Sequence, residues 1–209
     1  MVNKPRAKGT SAETAVVAYL NGHGWPYAER RSLNGALDKG DIAGCPGLCI
    51  EVKYAGAGMK IGSWMAETEV ETANSKADFG FLVVKPKGLG STRTGQWLAF
   101  MLSGNFRRLT NLERRHQLYI VDGAPDRFTE AIMRQSLTAG LRSVMTDQLL
   151  ALTLRPPGSK EDPDSWYRIM TLEHMVMLLR AAGYGSPLDE APQTQQLVDI
   201  PVPLLRRVP

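Results

Sequence analysis

Two continuous apolar runs, "DFGFLVVKPKG" and "GQWLAFML", constrain the fold of this chain more than any other feature. A strand that is apolar at nearly every position is buried on both faces, so other elements must cover it on either side. The segments upstream supply them. "TSAETAVVAYLNGHG" reads as a helix: Thr10 or Ser11 can cap it, Ala12, Ala15, Val16 and Tyr19 recur at helical spacing, and Gly22 and Gly24 stop it, which puts Glu13 in the first turn. "YAERRSL" reads as a strand, "NGALDKG" as a loop, and "DIAG" and "LCIEVKYA" as two short strands joined by Cys45, Pro46 and Gly47. A polar helical stretch, "SWMAETEVETANSKA", capped by Ser63, precedes the first apolar run. The order helix, three strands, helix, two strands predicts an α/β core with a mixed sheet flanked by helices.

Beyond about residue 110 the pattern changes. Residues 126 to 154 read as helical, with Phe128, Ile132, Leu137, Leu141, Val144, Leu149 and Leu150 apolar, and "RPPGSKEDPDS" is a polar, proline-rich loop. "WYRIMTLEHMVMLLRAAGYG" predicts a short strand and a helix running from a Thr171 cap to a Gly183 stop. The remainder, including "PVPLLRRVP", is proline-rich and expected to be loosely ordered. These features suggest a core over 1–110 and a mainly helical extension over 111–209, with a strand–helix unit at 165–183 and a proline-rich tail. One echo crosses that boundary: "WLAFMLSGNFRRL" from Trp97 and "WYRIMTLEHMVMLL" from Trp166 share a tryptophan, a strand-like run, a methionine and an apolar helix start. Either segment can therefore supply the last strand of the core.

The chain has 209 residues, 43% of them hydrophobic, enough for one globular domain with an extension. A net charge of +4 and a pI of about 9.1 suit a polyanionic partner without requiring one. Cys45 and Cys49 flank the turn expected at Pro46, and no C-x-x-C or second cysteine–histidine cluster offers a zinc site. Two such thiols suit a reducing, cytoplasmic setting and act as small apolar residues. No stretch approaches the ~18 apolar residues of a membrane span, and "MVNKPRAKG" lacks the apolar run of a secretory signal, so a soluble cytoplasmic protein without a membrane partner is expected.

The chemistry concentrates in "GDIAGCPGLCIEVK". With the turn centred at Pro46 and the strands antiparallel, Ile42 faces Ile50 and Asp41 faces Glu51, about 5 Å apart on one face of the sheet. Lys53 follows Glu51 by two residues and shares that face, while Ile50 and Val52 point into the core. Two carboxylates held that close repel unless a cation separates them. Oxygen ligands suit Mg²⁺ or Mn²⁺ rather than zinc, and such an ion beside a lysine suits phosphodiester hydrolysis. Glu13 of the first helix can complete the ligand shell. The plainer alternative is an exposed Glu51–Lys53 strand pair with Asp41 capping a turn.

"E-V-K" at the end of an apolar strand, preceded across a short turn by "G-D-I-A-G", resembles the PD-(D/E)xK nuclease superfamily. Within it, the chain is similar to Holliday junction resolvases of the archaeal type and their actinobacterial and bacteriophage relatives. The matching features are "GTSAETAVVAYLNGHGW", "AERRSLNG", "GDIAG", "CIEVK" and "GFLVVKPKG", which cover roughly the first half of the chain. The resemblance implies a restriction-endonuclease-like core, with Asp41 and Glu51 as metal ligands, Lys53 as the catalytic lysine, Glu13 as the helical acidic residue and Ser32 in a loop near the scissile phosphate. Two departures stand out: Gly40 replaces the proline before the aspartate, and the second helix carries "ETEVETANSK", leaving Glu67, Glu69 and Glu71 all open as the residue that reaches the site.

Lys4, Arg6, Lys8, Arg30, Arg31, Lys39, Lys60, Lys85 and Lys87 lie at the amino end and on loops between core elements, where they can track phosphate backbones without reading bases. Of these, Arg30, Arg31, Lys39 and Lys60, with Ser32, are the nearest candidates for DNA contact. His23, His116 and His174 are too scattered for a motif, and neither a P-loop nor G-x-S-x-G occurs. The expectation is a Mg²⁺-dependent endonuclease that binds DNA, most simply a Holliday junction resolvase in recombination, repair or phage replication. It would act as a homodimer, because resolution needs two symmetric nicks, and in the host cytoplasm if phage-encoded. A nuclease for flaps, forks or duplex ends, and a non-catalytic structure-specific DNA-binding protein, are the alternatives.

Overall fold

The structure, a computed structural model, describes residues 4–32, 38–56, 58–110, 120–122, 152–156 and 162–186. Helix α1 spans Lys4–Asn21. It starts well before the Thr10 or Ser11 cap that the sequence suggested: Thr10 lies inside the helix, its carbonyl accepting the Thr14 hydroxyl at 2.9 Å. Glu13 consequently sits in the third turn, away from the helix start. Ala12, Val16 and Leu20 form the buried stripe, as their spacing predicts.

Strands β1 (Glu29–Arg30) and β2 (Ile42–Ala43) make a short antiparallel ribbon, far less than the seven-residue strand "YAERRSL" suggested. Strand β3 (Leu48–Tyr54) leads into helix α2 (Ile61–Ser75) and strand β4 (Phe79–Lys85), which pairs with β3 in parallel. Helix α2 begins before Ser63, whose hydroxyl donates to the Lys60 carbonyl at 3.1 Å and so does not cap the helix. A 3₁₀ turn (Ser91–Gln96) precedes strand β5 (Leu98–Leu102), and helix α3 (Ser103–Thr110) follows directly. Strands β6 (Ile120–Asp122), β7 (Leu152–Arg155) and β8 (Tyr167–Thr171) and helix α4 (Leu172–Ala181) complete the described elements. The Thr171 hydroxyl caps α4 by accepting the His174 N–H, as expected.

The six strands form one mixed sheet in the order β3-β4-β5-β8-β7-β6, with β3–β4 and β6–β7 parallel and the other pairs antiparallel. The predicted order of elements holds through β5. The division at residue 110 does not: β8 lies in the middle of the sheet beside β5, so the strand–helix unit belongs to the core and not to a helical extension. Residues 152–155 are strand, where the helical expectation for 126–154 ended; the rest of that expectation, and the proline-rich tail, lie outside the described residues.

The sheet separates two apolar layers. On one face, Ile50, Val52, Phe81, Val83, Ala99, Met101 and Met170 pack against Val16 and Leu20 of α1, Met175 and Leu179 of α4 and Phe106 of α3. On the other, Leu82, Val84, Phe100, Leu154 and Ile169 meet Ile61 and Met65 of α2. Cross-strand register keeps the faces consistent, Ile50 standing beside Phe81 and Glu51 beside Leu82. Gly80 lets α2 lie close on β4, since a Cβ there would come 1.9 Å from the Thr72 hydroxyl. The acidic face of α2 is thereby pressed onto the edge where β3 carries Glu51 and Lys53.

Candidate functional site

Strand β3 lies at one end of the sheet, and its alternation sends Leu48, Ile50 and Val52 into one core layer and Cys49, Glu51 and Lys53 toward α2. Asp41 approaches from the chain just before β2. Its backbone N–H donates to the Ile50 carbonyl at 2.9 Å, and its Oδ2 accepts the Val52 N–H at 2.8 Å. The expected register, with Asp41 laddered opposite Glu51, is not formed: the main-chain bond runs to Ile50, and β2 pairs with β1 instead. The carboxylate bridges what the backbone does not, and so Asp41 and Glu51 still share a side-chain hydrogen bond.

Gly40 sets up that approach. Its φ is +84°, and a Cβ would lie 2.9 Å from Cys49 Sγ and 3.0 Å from the Ile50 carbonyl. Proline, fixed near φ −65°, cannot adopt this conformation. Glycine at this position is thus required by the local backbone.

Glu51 is buried, with 5% of its surface exposed. Lys53 Nζ lies 2.6 Å from Glu51 Oε1 and 3.0 Å from Glu67 Oε2. Glu71, four residues beyond Glu67 on the same face of α2, hydrogen-bonds Glu51. Both glutamates reach the cluster, and Glu69 does not join it. Burial first, then the Glu51 charge, pushes the Asp41 carboxyl up to about 7. Glu51 is likewise pushed up to about 7, burial and Glu71 outweighing the lowering by Lys53. Burial lowers the Lys53 pKa, but its bonds to Glu51 and Glu67 outweigh this and hold it above the ordinary lysine value. Lys53 is therefore a fixed cation and cannot serve as a proton acceptor at neutral pH.

Glu13 is placed differently. Its Oε2 accepts Arg30 Nε at 2.8 Å and pairs with Arg30 Nη2 at 2.6 Å, and it acts on Asp41 only through its charge. The structure thus brings Asp41, Glu51 and Lys53 together and leaves Glu13 one step outside, held by Arg30. Arg31 is turned onto the protein, donating to the Gly40 and Ile42 carbonyls at 3.1 and 3.4 Å, while Ser32, Lys39 and Lys60 are exposed around the site. Both cysteines are buried; burial pushes the Cys45 thiol up to about 12 and the Cys49 thiol up to about 11, consistent with packing residues.

Among the described residues no three His, Cys, Asp or Glu groups stand together at metal-holding distances; the assembled pair is Asp41 with Glu51. The donors nevertheless fit a hard divalent cation. They are all carboxylate oxygens, Asp41 and Glu51 are crowded together with both carboxyls pushed up to about 7, and Glu71 Oε2 is buried without a hydrogen-bond partner among the described residues. The chain matches no family model, no curated protein and no solved structure. Its own residues define an α/β protein with an acidic cluster and a fixed lysine on the strand at one end of a mixed sheet.

Proposed function

We propose that this chain is a metal-dependent endodeoxyribonuclease of the PD-(D/E)xK type that cuts branched DNA, four-way junctions foremost. One observation carries the proposal: Asp41 and Glu51 are forced together against their mutual repulsion, with Lys53 locked beside them by Glu51 and Glu67. A purely structural role would be served better by an apolar or neutral pair.

Asp41 and Glu51 would hold Mg²⁺ or Mn²⁺, which when bound polarises a phosphoryl oxygen and lowers the pKa of an attacking water. The Val52 N–H fixes the Asp41 carboxylate, so that ligand is oriented in advance. Lys53, always protonated, offsets the charge that develops on the phosphoryl group and orients the nucleophile. Glu67 positions Lys53, and Glu71 holds Glu51. Arg30, Lys39, Lys60 and Ser32 would follow the DNA backbone, with Glu13 setting the Arg30 guanidinium. Symmetric nicking of a junction requires two such sites, hence a homodimer, working in the cytoplasm of the cell or of a phage's host. No helix of the described residues is long and apolar enough to cross a membrane.

Cleavage of synthetic four-way junctions, flaps and linear duplex in Mg²⁺ tests this. Wild type should cut junctions preferentially, and Asp41→Asn and Glu51→Ala should each lose more than about a hundredfold, beyond the cost of an outer-shell partner. Equal cutting of linear and branched DNA would remove junction specificity. Cutting that survives both substitutions would remove the site, and junction binding without cutting of any substrate would make the chain a binding protein.

A further inference from the structure

Tyr27 is the most exposed large apolar side chain among the described residues, at 82%. Its backbone is held fast. Trp25 to Ala28 form a β-turn in which the Ala28 N–H donates to the Trp25 carbonyl at 2.9 Å, with Pro26 at the second position and Tyr27 at the third. Trp25 and Ala28 are buried on either side. Across the ribbon, Gly44 has φ +75° and packs so closely that a Cβ would lie 1.8 Å from the Tyr27 carbonyl oxygen. Behind the turn, the Arg180 guanidinium lies 6.0 Å from the Trp25 ring and donates to the His23 and Ser186 carbonyls at 3.0 and 2.8 Å. A clamped turn thus holds one aromatic ring in solvent, pre-organised for whatever meets it.

Cations flank that ring. The turn leads into β1, where the Arg30 side chain is 40% exposed, and on to Arg31, whose N–H donates to the Asp41 carbonyl at 2.7 Å. Four residues of chain from Tyr27 to Arg31 span at most about 14 Å, the length of about four base steps of duplex. Gly44 also lines a cleft of about 270 Å³ with Arg31, Pro46, Ser75 and Lys76. Tyr27 stands outside this cleft, its main chain against Gly44. Neither Arg31 nor Lys76 pairs with a carboxylate among the described residues. Glu29, exposed on the ribbon, repels a phosphate at that point and so directs a backbone toward the cleft. An apolar protein face would have to desolvate these cations, whereas a nucleotide answers both features, a flat ring for the phenol and an anion for the cleft.

We infer that Tyr27 is a stacking platform for an unpaired nucleic-acid base, with Arg31 and Lys76 in the neighbouring cleft drawing the phosphates beside it. The inference rests on the reading of the chain as a nuclease of branched DNA, and it names the part of the substrate that is gripped: bases that open where duplex arms part.

Affinities for a forked duplex with unpaired arms, a single strand and a fully paired duplex, read by fluorescence anisotropy in EDTA so that nothing is cut, test it. Tyr27→Ala should weaken the fork and the single strand roughly five- to hundredfold and leave the paired duplex unchanged. Tyr27→Trp should bind at least as well as wild type, and Tyr27→Leu, apolar but without a π face, should behave as Tyr27→Ala does. Lys76→Gln should reduce the slope of log K against log salt for the single strand by about 0.7, a slope that Tyr27→Ala keeps. Unchanged binding by Tyr27→Ala, or an equal loss on all three DNAs, overturns the inference. So does a dimer that dissociates in Tyr27→Ala with its DNA affinity intact, which makes the ring a contact between copies. Binding that follows Tyr27 without cleavage of any substrate in Mg²⁺ removes the nuclease reading alone, and cleavage that Tyr27→Ala leaves untouched on every substrate removes the stacking role alone.

Discussion

Asp41 spends its carboxylate on two neighbours, the Val52 N–H and Glu51, and the second contact is favourable only while a proton or a cation lies between them. Both carboxyls titrate in the folded chain at about 7, above their ordinary values near 4. The folded state then binds more protons than the unfolded one, so their contribution to stability is fully present below about pH 4 and is lost as pH rises through 7. In EDTA, Asp41→Asn should therefore gain stability relative to wild type steadily between pH 4 and 7, as followed by urea unfolding. Mg²⁺ should reverse the gain above pH 7. A difference independent of pH would mean that the two carboxyls do not meet. At this scale the sequence was informative about β3, because alternation alone puts Glu51 and Lys53 on one face. It could not choose among Glu67, Glu69 and Glu71, since that choice depends on how α2 is rotated over the sheet; the four-residue spacing of Glu67 and Glu71 was the available signal.

Elements with a strong apolar pattern were readable, and short ones were not. β4, β5 and α4 fall where their residues predict, whereas β1 keeps two residues of the strand that "YAERRSL" suggested, because its ladder with β2 extends only over Glu29 and Arg30. The start of α1 was missed because Thr10 and Ser11 are cap formers that the helix absorbs. The tryptophan echo has a structural basis. Trp97 and Trp166 each end a 3₁₀ turn and begin a strand that runs into a helix, and the two units pair antiparallel, Leu172 N–H bonding the Trp97 carbonyl and Ser103 N–H the Trp166 carbonyl at 2.8 and 2.7 Å. The turn from loop to β2 rests on Gly40. Gly40→Ala should cost about 1–3 kcal/mol, from the left-handed φ and the contacts with Cys49 and Ile50. It should lower the urea midpoint with an unchanged slope; an unchanged midpoint would show that the loop adjusts freely.

The whole molecule is less divisible than its sequence implied. A core ending at residue 110 would lack β8 and α4, which bury Ile169, Met170, Leu172, Met175, Val176 and Leu179. Each such side chain is worth about 1.5–3 kcal/mol, and together they rival the whole stability of a domain, about 5–15 kcal/mol. A fragment of residues 1–110 should therefore show no cooperative thermal transition by circular dichroism, while a chain ending at residue 186 should keep one. A cooperative transition in the shorter fragment would restore the boundary. The central position of β8 also matters during synthesis. β5 is complete at Leu102, but its partner begins only at Tyr167, so on the ribosome the sheet stays open down its middle until most of the chain has emerged. During that interval β5 offers an apolar, unpaired edge to any neighbouring nascent chain, making delay between those two strands the stage of biogenesis at which this protein is most exposed to aggregation.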